Sequence, residues 1–135
     1  MADSFELEIV TPDRRVVSGP AQEVQIPGRS GYLGVLPGHA PLLTELAVGE
    51  ITYRNAQGTQ RLAVAWGFAE VLPYKVTILA ETAEKSNEID IARAQQAKAR
   101  AEQELKSAAG DVHQAKSAAD ALQRAQNRLD VAGKK

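Results

Sequence analysis

The 135-residue chain has no cysteine, so it offers neither a disulfide framework nor a thiolate ligand, which fits a reducing compartment. Its two histidines, His39 and His113, stand in stretches of different composition, and no metal centre is expected from them. No apolar run is long enough to span a bilayer. The opening MADSFELEIV lacks a basic region followed by an apolar one, which argues against a secretory leader. Neither sign of charge is in excess: 16 Lys and Arg face 17 Asp and Glu, giving a net charge of −1, so no nucleic-acid partner is expected. There is no GxxxxGK[ST] loop, no paired-carboxylate motif and no nucleophile–base pair. The chain therefore reads as non-catalytic, with no catalytic residue to assign.

What is scarce is also unevenly placed. All six aromatics and all six prolines come before residue 75. Beyond residue 82 the chain turns to Ala, Gln, Lys, Arg and Glu. That change marks a domain boundary between Thr82 and Asn87, and divides the chain into segments 1–84 and 85–135.

The first segment alternates with the period of a strand. Phe5, Leu7 and Ile9 share one side, and Val24 with Ile26 another. Ile51 and Tyr53 alternate with Glu50, Thr52 and Arg54. Leu62, Val64 and Trp66 continue the pattern, as do Val76, Ile78 and Ala80. Turns are expected at Asn55–Gly58 and Leu72–Lys75. Many short strands separated by turns predict an antiparallel β-sandwich.

The second segment has the helical period. Asn87 can cap a first helix, with Asp90 close to its positive end. Ile91, Ala94, Ala97, Ala101, Leu105 and Ala108 recur at three- and four-residue steps. Gly110-Asp111 ends that helix and opens the next. Ala115, Ala118, Leu122, Ala125, Leu129 and Ala132 repeat the step. The fold class is therefore α+β, an N-terminal antiparallel sandwich followed by a C-terminal antiparallel helical hairpin. A seam of alanines favours helix but buries little area, so docking along it is weak. Composition leaves a mobile regulatory arm and a merely structural hairpin equally open.

Two features carry candidate sites. The stretch GYLGVLPGHAPLL, residues 31–43, packs Gly31, Gly34 and Gly38 with Pro37 and Pro41 around His39, and predicts a stiff, shaped loop turning at Pro37-Gly38. His39 is expected to hold that turn by a hydrogen bond. The other feature is four arginines. In a hairpin turning at Gly110-Asp111, level partners have numbers adding to about 221, which sets Arg93 near Arg128 and Arg100 near Arg124. If they share a side, an anion such as a polyphosphate would relieve their repulsion, with Asp90 and Glu84 near enough to accept from a base or ribose. The alternative is solvated charge paired with Glu88, Glu102 or Asp130.

Taken together, ELEIVTPDRRVVSG (residues 6–19), GYLGVLPGHAPLL, GFAEV (67–71) before KVTILAE (75–81), and IDIARA (89–94) resemble the epsilon subunits of the F-type ATP synthases over nearly the whole chain. The resemblance implies a sandwich bound to the central-stalk gamma subunit and to the ring of c subunits, turning with the rotor. It implies helices that lie folded or extend into the catalytic head of alpha and beta subunits and block ATP hydrolysis there, with Lys116, Arg124 and Arg128 as inhibitory contacts. The gamma and c-ring contacts it implies are Arg29, Ser30, Gly31, Tyr32, His39, Ala40, Pro41 and Leu42. No cofactor is required, but some bacterial members bind ATP as a regulatory ligand. The motif [IL]DxxRA for that matches Ile89, Asp90, Arg93 and Ala94, and Glu84, Arg100, Arg124 and Arg128 fall at corresponding positions. One departure is that residues 28–32 carry no carboxylate, whereas relatives often present acids there to the c ring. The implied location is peripheral, on the cytoplasmic face of a bacterial membrane or on a thylakoid membrane. The competing reading is a free-standing adaptor or chaperone made of a sandwich and a coiled-coil arm.

Overall fold

The computed structural model describes residues 3–134. The reading that no leader precedes the first strand rests partly on Met1 and Ala2, which lie outside the described residues. The chain divides into two compact units, one ending at Lys85 and the other beginning at Ser86.

The first unit holds eight strands: β1 (Phe5–Val10), β2 (Arg15–Ala21), β3 (Glu23–Gly28), β4 (Gly31–Val35), β5 (Leu42–Leu46), β6 (Gly49–Asn55), β7 (Gly58–Val71) and β8 (Lys75–Lys85). They form a β-sandwich, hydrogen-bonded in the order β2-β1-β8-β7-β5-β3-β4, with β6 pairing both β3 and β7. All pairs are antiparallel except β1 with β8, which run parallel from Glu6↔Lys75 to Val10↔Leu79. The alternation in β1, β3 and β8 puts Leu7, Ile9, Val24, Ile26, Val76 and Ile78 fully inside. Each such side chain stabilises by roughly 1.5–3 kcal/mol.

The organising element is β7. Its first half pairs with β6, from Asn55↔Gly58 to Gly49↔Val64, and its second half with β5, from Leu46↔Gly67 to Leu42↔Val71. β5 and β6 are thus one strand interrupted at Ala47-Val48, laddered to a single long partner that bends with it. Along β7 the members of the main core pass from Leu62 and Val64 to Ala69 and Val71, an even phase giving way to an odd one, while Ala63 and Ala65 are buried on the other side. The switch lies at Trp66-Gly67. Trp66 has φ 52°, and a Cβ on Gly67 (φ 122°) would collide with the carbonyl oxygen of Leu79. This corrects the expectation that Trp66 continues the Leu62–Val64 face: it is half-buried at the bend, because the backbone rotates there to serve both layers. Glu50, read as outward, is also a correction. It is 8% exposed and its carboxylate accepts from Arg61 at 2.6 Å and Thr52 at 2.9 Å. An ionised group survives there only because it is paired and hydrogen-bonded.

Both expected turns are present. Asn55 Oδ1 accepts from the Gln57 N–H at 3.0 Å to shape the β6–β7 hairpin, and Leu72 and Lys75 exchange backbone bonds at the β7–β8 turn. The stretch 31–43 is less of a loop than its glycines suggest. Its start is β4, laddered to β3 from Gly28↔Gly31 to Val24↔Val35, and its end opens β5.

The second unit is a 3₁₀ turn, Ser86–Glu88, followed by α1 (Ile91–Ser107) and α2 (Val112–Ala132), which pack against each other as a helical hairpin. Asp90, not Asn87, caps α1: its carboxylate accepts the Arg93 N–H at 3.0 Å. Asn87 is already inside the 3₁₀ turn and so cannot take the extended capping conformation. Asp111 caps α2 in the same way through Gln114, after a turn at Gly110. The buried stripe is narrower than the periodicity predicts: Ala94 and Ala101 on α1 with Ala108 at its C-cap, and Ala118 and Ala125 on α2, at seven-residue steps, with Val131 also buried near the end of α2. Ile91 and Leu105, read as part of the stripe, are 49% and 37% exposed. Small side chains let the axes approach closely, and the larger residues flanking them are left outside the contact.

Candidate functional site

The seam alanines fix which way every other hairpin residue faces. With about 100° per residue, Arg93 and Arg100 each precede a seam alanine by one position and stand about 100° to one side of it. Arg124 precedes Ala125 and has the same offset. Arg128 lies about 60° to that side. In an antiparallel pair, equal offsets from the seam project to the same face, so the four arginines share one. The seven residues between Arg93 and Arg100 rise about 10 Å, and the level partners on α2 fall in that interval. Arg93 and Arg100 are exposed, and Arg124 and Arg128 half-buried. A face of this kind can take a multiply charged anion by several charge-assisted bonds.

The other residues of the expected ligand set fall into different roles. Ala94 is fully buried in the seam and Ile89 is 8% exposed, so both act by packing. One carboxylate oxygen of Asp90 is occupied by the helix cap. Glu84 belongs to β8 of the first unit, across from Ala63. Lys116 precedes the seam alanine Ala118 by two positions and therefore points away from the seam, where it pairs with Asp120 at 3.5 Å. It does not share the arginine face with Arg124 and Arg128.

The expected contact loop separates into two places. Arg29 and Ser30 form the tight turn between β3 and β4, with Gly31 and Tyr32 opening β4. Pro37-Gly38 makes the predicted turn, closed by His39 N–H to Leu36 O at 3.1 Å, with Gly38 at φ 86°. Gly38 also donates to Pro73 O at 2.8 Å, which fastens the segment to the β7–β8 turn. His39 Nδ1 meets Ala40 O at 2.6 Å, holding its own turn as expected. Ala40 and Pro41 follow exposed, and Leu42 enters β5 opposite Val71. The Arg29-Ser30 turn lies by Glu45 and Leu46, at the other end of β5, roughly 13 Å from Leu42.

Two partners escaped the sequence reading. Arg29 bonds the Glu45 carboxylate at 2.5 Å, and that contact raises its pKa above the ordinary arginine value. A carboxylate therefore stands beside the turn although residues 28–32 carry none, and it comes from β5, sixteen positions on. Only the β3–β5 register at Gly28↔Leu46 reveals it. Arg100 donates to Glu104 at 3.0 Å, a pair that the i,i+4 spacing could have signalled. Among the described residues no cluster of His, Asp and Glu could hold a metal, and no helix is long and apolar enough to cross a membrane.

A β-sandwich followed by a hairpin of two long helices defines a two-part architecture. Residues 4–86 match the β-sandwich domain of the ATP synthase delta/epsilon chain, and residues 87–133 its long α-helix domain. The epsilon chain of Koribacter versatilis is 68% identical over 105 residues, covering 78% of this chain and 74% of that one. The epsilon chain of Geobacter metallireducens is 44% identical over 134 residues, covering 99% and 97%. A chain in the cryo-EM structure of the Euglena gracilis mitochondrial ATP synthase OSCP/F1/c-ring superposes with a TM-score of 0.83 at 24% identity, over 98% of this chain and 82% of that one, a likeness of fold. The chain belongs to the delta/epsilon-chain family of ATP synthase subunits, which are non-catalytic stalk components.

Proposed function

We propose that this chain serves the central stalk of an F-type ATP synthase. Its sandwich binds gamma and the c ring and turns with them, and its hairpin acts on the alpha and beta subunits of the catalytic head. It works peripherally, on the cytoplasmic side of a bacterial membrane or on a thylakoid membrane, held there by its complex. The observation that carries this reading is the outer face of the β5–β7–β8 sheet. Leu43, Phe68 and Leu79 are 69%, 51% and 54% exposed there. The pairs Glu45↔Phe68 and Phe68↔Leu79 place them on one side. Three large apolar side chains exposed together outside a well-filled core, with Glu45 and Glu70 among them, ask for a protein partner, and here we assign the face to gamma. The two turns at opposite ends of β5 are assigned to the rotor contact as well, with Arg29 and Glu45 presented together.

The hairpin is assigned two further roles. Lys116, Arg124 and Arg128 contact acidic groups of the head when the helices extend, and this blocks hydrolysis. ATP bound to Arg93, Arg100, Arg124 and Arg128 favours the folded hairpin, by as much as its affinity for that state exceeds its affinity for the extended one. The bound nucleotide is assigned a regulatory role, and it is expected to be released intact. Co-purification tests the first assignment. Phe68→Glu is expected to abolish recovery of gamma while leaving the far-UV circular dichroism unchanged. Full recovery of gamma by that variant would sink the assignment of this face.

A further inference from the structure

We infer that Glu104 is a built-in competitor for the arginine face and holds its affinity for polyphosphate below what four arginines alone would give. The inference rests on the reading of that face as a nucleotide site. α1 carries two acids, Glu102 and Glu104. Glu102 follows the seam residue Ala101 by one position and projects about 100° away on the opposite side. Glu104 follows by three and falls about 60° to the arginine side, one turn beyond Arg100. There its Oε1 takes the Arg100 Nε at 3.0 Å. The side chains are 82% and 52% exposed, so water screens the pair and it opens readily.

A phosphate that takes the Nε edge of Arg100 displaces a carboxylate that has only lone pairs to offer it, and one that takes the Nη groups instead sits beside that carboxylate. After displacement the two anions remain within a few ångströms on one helix face. The penalty therefore has two parts: loss of the existing ion pair, and repulsion that grows with the charge of the ligand. Asp90 lies on the same side, but its oxygen is committed to the helix cap. Glu104 is thus the α1 carboxylate that meets the ligand directly. It spares the arginines mutual repulsion when the site is empty and opposes the ligand when it fills.

Calorimetric titration of the full chain with ATP and with ADP tests this. Glu104→Gln keeps helix propensity and shape. It is expected to tighten ATP about three- to tenfold at low ionic strength, and ADP by less. The gain should fade in high salt, where the Debye length falls to about 3 Å. It should also shrink in an Arg100→Ala background. Glu102→Gln removes the same charge from the opposite face and is expected to change nothing. Unchanged affinity in Glu104→Gln, or equal tightening in Glu102→Gln, would overturn the inference while leaving the nucleotide site standing. No saturable heat in the wild-type chain and in Glu104→Gln alike would remove the site and the inference together.

Discussion

Gly67 and Trp66 show how much one pair of residues can decide. The bend of β7 needs a positive φ at two successive positions, and only the second is glycine. At Gly67 a methyl group would meet backbone, the Leu79 carbonyl, which cannot swing aside as a side chain can. Gly67→Ala is therefore expected to destabilise the sandwich by about 2–4 kcal/mol in denaturant unfolding. Trp66→Ala should cost less than the 3–5 kcal/mol of a fully buried large aromatic, because Trp66 is half-buried. Equal stability of wild type and Gly67→Ala would mean that the bend can be made elsewhere. Asp90 is the corresponding residue in the hairpin. Asp90→Ala removes the cap of α1 and should lower hairpin stability by about 1 kcal/mol, whereas Asp90→Asn keeps most of it. Amide exchange at Arg93 and Ala94 reads the difference. Loss of nucleotide binding in Asp90→Ala alone would then report a frayed helix end, and Arg93→Ala is the cleaner test. It should abolish ATP binding with the helices intact by circular dichroism.

At the scale of the element, what was legible in the sequence follows from what each element needs. β1, β3 and β8 keep one face inward throughout, so their period-two pattern reads directly from Leu7, Ile9, Val24, Ile26, Val76 and Ile78. β7 changes layers midway, and no side-chain period announces a backbone rotation. For that reason the alternation alone carries Trp66 on the wrong phase. Asn87 and Asp90 can both cap, and the 3₁₀ turn that takes up Asn87 decides between them. The arginine face was legible in height from position numbers alone. Its shared side became clear only when the seam narrowed to alanines seven residues apart. That seam makes its own prediction. Ala101→Leu inserts three carbons where two axes lie close and is expected to weaken helix docking by about 1–3 kcal/mol without unwinding either helix. Limited proteolysis of the Gly110 turn should accelerate, and an unchanged rate would show that the seam has room to spare.

For the whole molecule, the two compact units predict separable behaviour. A chain ending at Lys85 keeps every strand and is expected to fold, bind gamma and support coupled synthesis, with its ATP hydrolysis no longer restrained. A cut at Thr82 would sacrifice the Ala83 and Glu84 rungs of β8, which pair with Val64 and Ala63. If the Lys85 truncation folds yet fails to join the complex, the helices carry the rotor contact. Hydrolysis unchanged both by the truncation and by neutralising Lys116, Arg124 and Arg128 would reject an inhibitory arm.

The parallel pairing of β1 with β8 also sets an order in time. Of the sandwich strands, the one that leaves the ribosome first takes its place beside the one that leaves last, with six others made between them. At about 5–20 residues per second, β1 waits on the order of several seconds for that neighbour, holding meanwhile only the β2 hairpin. Contacts so distant in sequence slow folding. The sandwich is sealed only when β8 arrives, immediately ahead of the hairpin. The helical hairpin is therefore always synthesised onto a sandwich whose last strand has already been made.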